Sequence, residues 1–366
     1  MATVQAPDAW PPECQRILEL LGIRIPIIQA PMAGSDSPEL AAHVSAAGGL
    51  GSLACALLSV DQTHAGVSAI RERTSNPLNL NYFCHEMPAG GTGFESEWKT
   101  LLRPHYERFG LDIDAVQRGT LRLPFDAAAA NLLEELAPQV VSFHFGLPDK
   151  NHVTRLKARG IRILSTATSV KEALWLEAHG CDAVIAQGLE AGGHRGMFLE
   201  REASTQIGTL ALVAHVSASV KIPVIAAGGI ADARGIQAAF ALGAAAVQLG
   251  TAYLFCPEAK IPALYRAALE RATDADTVIT NLFSGRPARG IVNRFVRECG
   301  PMAEAAPPFP LAGHLIAPLR AASQKAGSED YLQMWAGQGA GLCRSMPAGT
   351  LTRMLADEVL ALLRRE

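Results

Sequence analysis

The chain has 366 residues, 49% hydrophobic and 18% charged, enough to bury a sizeable core, and its length suits either two domains or one α/β barrel with insertions. A net charge of −3 with scattered basic residues leaves no electrostatic footprint for nucleic acid. The longest apolar region, 238–255, is interrupted by Gly243, Gln248 and Gly250 and is too mixed for a membrane span.

Eight short, mostly β-branched runs follow in order, at 25–29, 51–55, 78–83, 140–145, 162–166, 183–187, 223–227 and 245–249. Most are nearly continuous in apolar residues, as parallel strands covered on both faces require. Helical patterns alternate with them. Ser37 is a candidate N-cap with Pro38 at the first helical position. Segment 170–179 stops at Gly180 and 231–242 at Gly243, both glycine C-terminal signals. Shorter helices are expected at 131–136 and 153–159, and a last one at 347–363 should pack back on the barrel wall. Alternation of this kind predicts an α/β fold, a (β/α)8 TIM barrel. An open doubly wound sheet would carry G-x-G-x-x-G after its first strand, and 29–37 lacks it.

Two stretches exceed what a minimal barrel needs. Residues 86–125, with Gly90-Gly91-Thr92-Gly93, and 256–317, with Pro301, Pro307, Pro308 and Pro310, are expected to form a cap on the substrate side. The barrel would then comprise 1–85, 126–255 and 318–366. The seven cysteines are odd in number and include no C-x-x-C, which reads as free thiols in a reducing compartment. Residues 1–12 carry acidic and proline residues where a signal peptide needs a basic then an apolar stretch. A soluble cytoplasmic protein is expected.

The chemistry concentrates at the ends of the expected strands, where barrel enzymes place their sites. The sixth strand runs into Gln187-Gly188-Leu189-Glu190-Ala191-Gly192-Gly193-His194-Arg195-Gly196, a glycine-rich loop carrying an imidazole. By itself this is equally an ordinary turn with a solvated histidine. The seventh strand runs into Gly228-Gly229-Ile230 and the eighth into Gln248-Leu249-Gly250-Thr251. Peptide N–H groups freed by glycines there, with a helix N-terminus, suit a phosphate. No lysine or arginine and no Walker pattern accompany them, favouring a single phosphate monoester. After the first strand, Pro31-Met32-Ala33-Gly34 would let a flat ring lie on the backbone with Met32 against its face. Asn81 and Gln187 are strand-end amides that suit the edge of a heterocycle, or that tie loops together. His144 alternates with Ser142. It either reaches the barrel mouth or is a satisfied core histidine. Glu190 is expected to pair with Arg195. No clustered Cys/His set argues for a metal. With 6% aromatic residues, aliphatic substrate walls are expected.

Taken together, these motifs resemble the nitronate monooxygenase family over nearly the whole chain. Gln29 to Gly34, Asn81 to His85, Ser142 to Gly146, Gln187 to Gly196, Ala226 to Ile230 and Gln248 to Thr251 carry the resemblance, with Ser284 to Gly290 and Trp335 to Gln338. It implies a TIM barrel that binds FMN without metal. Its cofactor residues map to Met32, Asn81, Gln187, Gly192, Gly229, Gln248, Leu249, Gly250 and Thr251, and its catalytic histidine to His194; His144, if it reaches the barrel mouth, is a candidate substrate contact. It implies oxidation of alkyl nitronates such as propionate 3-nitronate, and of nitroalkanes, by O2 to an aldehyde or oxo compound plus nitrite or nitrate. The partners implied are these small molecules and O2, with a homodimer allowed, and neither nucleic acid nor membrane. An FMN-dependent NAD(P)H reductase of a quinone or enoyl thioester shares the same motifs, and a non-enzymatic phosphometabolite-binding barrel is the reading from a different class.

Overall fold

The computed structural model describes residues 9–88, 95–117, 119, 121–200 and 202–365. The Gly90-Gly91-Thr92-Gly93 run and residues 1–8 lie outside them. Eight parallel strands form one sheet: β1 (Ile27–Gln29), β2 (Gly51–Ala54), β3 (Leu78–Phe83), β4 (Val140–His144), β5 (Arg162–Ala167), β6 (Ala183–Gln187), β7 (Val224–Ala227) and β8 (Ala246–Leu249). All eight coincide with the apolar runs. The spatial order is β1-β8-β7-β6-β5-β4-β3-β2, every neighbouring pair parallel.

The remaining gap, between β1 and β2, is closed by Leu50. It makes a parallel bridge to Ile28, accepting the Gln29 N–H at 2.9 Å and donating to Ile27 O at 3.0 Å. The Gln29 side chain extends the closure by accepting the Ser52 N–H at 2.8 Å. A Cβ at Gly51 would lie 1.9 Å from the Ala41 carbonyl oxygen, so helix Pro38–Ala47 presses directly on the strand. The sheet is a TIM barrel with helices between its strands.

Local chemistry accounts for the helix ends. Ser37 Oγ accepts the Leu40 N–H at 3.0 Å, with Pro38 leading the helix. Asp232 caps Ala233–Ala241 through the Gly235 N–H at 3.0 Å. Gly180 and Gly243 follow their helices at φ of 96° and 91°. The last helix, Ala348–Leu363, buries Leu351, Leu355 and Val359 in the main barrel core.

A second core stands apart from the barrel. Trp98, Leu102 and Tyr106 of helix Glu95–Arg108 pack with Phe295, Leu315, Ile316, Leu319 and Tyr331. The expected boundary at 317/318 therefore falls inside helix Gly313–Lys325, whose apolar face belongs wholly to this second core. A three-stranded antiparallel sheet, unexpected from the sequence, joins Thr277–Thr280, Ala288–Ile291 and Gly193–His194. It draws the segment after β8 back over the C-terminal end of the barrel. Among the described residues no helix is long and apolar enough to cross a membrane.

Candidate active site

A pocket at the C-terminal ends of the strands is lined by residues from every strand end but the second. Met32, Asn81, Gln187, Gly192, Gly229, Gln248, Gly250, Thr251, His144 and His194 all border it. Leu249 does not. It is buried in the barrel core and supplies its carbonyl to the Ala30 N–H at 2.8 Å.

His194 is held by the backbone at one side and a hydroxyl at the other. It belongs to the edge strand Gly193–His194, opposite Ala288, where the sequence suggested a free loop. Its Nε2 lies 2.9 Å from Ser284 Oγ. The same hydroxyl lies 3.3 Å from Arg286 O, and when it donates there it accepts the Nε2 proton and leaves Nδ1 as the basic nitrogen of His194. Burial first, then the charges of Arg122, His144, Arg286 and His85, hold its pKa well below the usual imidazole value.

The carbonyl of His194 receives two donors, Gln187 Nε2 at 3.0 Å and His144 Nε2 at 3.2 Å. Gln187 Oε1 in turn accepts the Gly196 N–H at 2.8 Å. His144 Nδ1 accepts the Thr166 hydroxyl at 3.0 Å, so both its nitrogens are used and its ring is neutral. Burial, the largest influence, brings its pKa down to about 3. His144 and Gln187 thus brace the loop that presents His194. Asn81 is similarly committed at one end, its Nδ2 donating to Ser142 O at 3.1 Å and Oγ at 2.9 Å.

The apolar lining is largely aliphatic, with Phe83, Tyr265 and Trp335 as its aromatic members, but aromatic rings gather around His194 itself. Phe309, Trp335, Phe145 and Phe83 surround the His194 ring at centroid distances of 5.4, 5.5, 6.1 and 6.2 Å. A low total says nothing of where the few rings gather. Phe145 takes a left-handed φ of 71°, and the Arg286 guanidinium lies 3.9 Å over its ring. Arg286 also donates to Met197 O.

The expected Glu190–Arg195 pair is absent among the described residues. Glu190 accepts instead the Thr209 N–H, at 3.0 and 2.9 Å, and the Thr209 hydroxyl at 2.8 Å. Arg195 is fully buried and donates to Gln206 Oε1 at 2.5 Å and Gln187 O at 2.8 Å.

Four loops converge on the glycine cradle. Gly228 and Gly229 adopt φ of 119° and 69°, which favours glycine. The helix after β7 is already served by Asp232, so its N-terminus is not free as the sequence suggested. Helix Thr251–Leu254 begins at Gly250 with no side-chain cap. Thr251 Oγ1 accepts the Gly337 N–H at 2.9 Å, which keeps its proton available to the pocket. A strap at 335–339 completes the wall. It is tied by Gln338 N to Glu190 O at 3.0 Å and by a bridge between Gly290 and Trp335.

The loop carrying Met32 is turned by Asp36, whose Oδ2 accepts the N–H groups of Met32 at 3.1 Å and Ala54 at 2.9 Å. Burial pushes this carboxyl up to about 7, against those hydrogen bonds and Lys260. A carboxyl with a raised folded pKa stabilises the fold below its unfolded value, and that contribution is lost as the pH rises through 7. Asp36→Asn keeps an acceptor without a charge. Its melting temperature relative to wild type should therefore climb between pH 5 and pH 8, and a difference constant across that range in a thermal-shift series would refute the assignment.

With this geometry in place, the comparisons with known proteins are decisive. The family model described as nitronate monooxygenase matches residues 15–358. A nitronate monooxygenase of Pseudomonas aeruginosa is 44% identical over 94% of this chain and 99% of its own length. One from Paraburkholderia phytofirmans is 43% identical over 94% of each. The chain belongs to the nitronate monooxygenase family. The crystal structure of a nitroalkane oxidase from Streptomyces ansochromogenes superposes with a TM-score of 0.87, 39% identity and coverage of 96% of this chain and all of that one.

Within this member of the nitronate monooxygenase family, several pocket residues had no individual signal in the sequence. Ser284 sat in a recognised motif without a role, since its partnership with His194 spans 90 positions. Phe83 and Arg122 of the lining, and Phe145 and Phe309 beside the His194 ring, come from separate stretches and share no spacing. Gly192 borders the pocket, and a Cβ on it would meet Ala336 C and Gly337 N at 2.6 Å, so its missing side chain also makes room for the strap.

Proposed function

We propose that this chain oxidises alkyl nitronates, and nitroalkanes after deprotonation, with O2 and bound FMN, giving an aldehyde or oxo compound and nitrite or nitrate. The observation that carries the reading is the half-buried His194, its pKa held well below the usual imidazole value, at a pocket whose lining among the described residues contains an arginine and no aspartate, glutamate or lysine. Such a pocket favours an anion at the reacting position and leaves a base free to make one from a neutral nitroalkane.

The residues fit a flavin mononucleotide. Gln248 Oε1 is buried without a protein partner and borders the pocket, as an amide awaiting the edge of a heterocycle would. Glycines at 228, 229, 250, 337 and 339 line the same cavity, and a Cβ on Gly193 would meet nothing within 4 Å. Met32, Asn81 and Gln248 would hold the ring, and Gly229, Gly250 and Thr251 the phosphate. The bound flavin supplies the redox chemistry between substrate and O2.

The protein's own residues do the rest. His194 Nδ1 takes the α-proton of a nitroalkane, while Ser284 fixes the tautomer and the paired donors on the His194 carbonyl fix the ring's position. Phe83, Phe145, Phe309 and Trp335 exclude water, which strengthens the pull of Arg122 and Arg286 on the anion formed. Purified protein should be yellow. Oxygen uptake should follow addition of propionate 3-nitronate, with no bleaching by NADH under anaerobic conditions. Rapid bleaching by NADH without oxygen uptake on nitronates would assign the reductase chemistry instead.

A further inference from the structure

Arg195 and Glu172 are fully buried, and among the described residues every hydrogen bond of either side chain goes to a neutral group. Arg195 Nε donates to Gln206 Oε1 at 2.5 Å. Gln206 Nε2 donates to Thr168 Oγ1 at 3.1 Å, and Thr168 Oγ1 donates to Glu172 Oε2 at 2.8 Å. Two neutral side chains thus bridge a guanidinium to a carboxylate. Chemistry sets the direction of each bond. A guanidinium only donates, so the Gln206 oxygen faces it and the Gln206 amide nitrogen faces Thr168. The Thr168 hydroxyl then gives its proton to the carboxylate. All three bonds point from cation to anion, and each polarises the next.

Both ends of this bridge hold the stretch that carries His194. Arg195 follows it directly, and its Nη2 donates to Gln187 O at 2.8 Å. Gln187 in turn grips the His194 carbonyl and the Gly196 N–H through its side chain. At the other end Glu172 Oε1 accepts the N–H groups of Phe198 at 2.6 Å and Leu199 at 3.0 Å. Segment 194–199 is therefore closed on itself through Gln206, Thr168 and Glu172 of helix Val170–Ala178, none of which lines the pocket. The middle of the segment has no slack. A Cβ on Gly196 would lie 2.5 Å from Thr166 Cγ2 and 2.8 Å from His144 Cε1.

We propose that Gln206 is a positioning residue for proton abstraction: with Thr168 it transmits the attraction between Arg195 and Glu172 that holds His194 in place for the α-proton of a nitroalkane. The inference rests on the base role proposed above for His194. A base acts only from a narrow range of positions, and a displacement of about 1 Å caused by a distant change can cost roughly 10²-fold in rate. A nitronate arrives without that proton, so its oxidation does not register the same displacement.

Gln206→Met and Thr168→Val each cut the bridge and leave both charged ends in place. They are compared with wild type, as holoenzyme, on 1-nitropropane and on propyl 1-nitronate. In Gln206→Met, kcat on the nitroalkane should fall roughly 10- to 100-fold, with its KM and the nitronate rate within about threefold of wild type. Thr168→Val should show the same selectivity. The double variant should be no slower than Gln206→Met, because one broken link already opens the bridge. Losses that multiply in the double variant would overturn the proposal. So would equal losses on both substrates, or a nitroalkane kcat unchanged in both single variants. Circular dichroism and the visible spectrum establish that each variant is folded and loaded, and either one alone carries the substrate comparison. If wild type oxidises neither substrate, the function fails and the positioning is read without turnover. Diethyl pyrocarbonate should then modify His194, located by mass spectrometry, at least about threefold faster in Gln206→Met than in wild type, because the released segment opens locally. Equal rates of modification would sink the inference.

Discussion

His194→Asn is expected to lose nitroalkane oxidation by roughly 10²- to 10⁴-fold in kcat/KM, the usual worth of a positioned general base. Nitronate oxidation should fall by no more than about tenfold, because a nitronate arrives without the proton that His194 removes. The reason lies in the state of the ring. Burial, Arg122, His144 and Arg286 all press the imidazole toward neutrality, and a Ser284 hydroxyl turned to Arg286 O leaves Nδ1 as the basic nitrogen. With its pKa well below the ordinary 6.5, the base form persists on the acid side. The nitroalkane rate should therefore hold as the pH is lowered from 8 to 6.5. An acid limb above pH 7, or equal losses on both substrates, would mean that His194 binds an anion as an imidazolium and removes no proton. Asparagine preserves a polar side chain of similar size, so the visible spectrum should show the cofactor retained.

Gly192→Val is expected to weaken cofactor binding while the barrel still folds. The new Cβ would lie 2.6 Å from two backbone atoms of the strap, Ala336 C and Gly337 N, and neither can swing aside as a side chain could. Moving the strap breaks Gly337 N–H to Thr251 Oγ1 and Gln338 N–H to Glu190 O, both on the cradle wall. Overpacking of this kind costs about 1–3 kcal/mol, and FMN affinity should weaken by roughly 10- to 100-fold, equivalent to ~1.4–2.8 kcal/mol. The neighbouring Gly193 is a sharp contrast. It has open space around its Cβ position and a φ of 74°, so Gly193→Asn carries only the modest strain of a left-handed residue. Fluorescence titration of the two apoproteins with FMN separates them. Similar affinities in both would show that the strap does not shape the cradle.

The barrel was legible because its signals are local. A buried parallel strand must be apolar along its length, and a helix must be capped and stopped, so 183–187, Ser37 and Gly243 announce themselves within a few residues. Site placement followed from the same regularity. Once β6, β7 and β8 are counted, their C-terminal loops bring Gln187, Gly229 and Gly250 to one pocket. What failed was each step that depended on partners distant in the chain. Glu190 lay beside Arg195 in sequence yet is claimed by Thr209, 19 residues away. The rings around His194 are few in the composition and crowded in space.

From its sequence alone, this protein is determined to be an eight-stranded barrel of a recognisable family, with its histidine after the sixth strand and its glycines after the seventh and eighth. The tertiary structure decided the state and setting of that histidine. Its strand pairs with 288–289, its ring meets Ser284 and four aromatic side chains, and its charge is governed by Arg122 and Arg286. Periodicity and capping are properties of neighbours along the chain. Protonation, desolvation and pocket walls are properties of neighbours in space, and these are brought together only when the segment after β8 folds back over the barrel mouth.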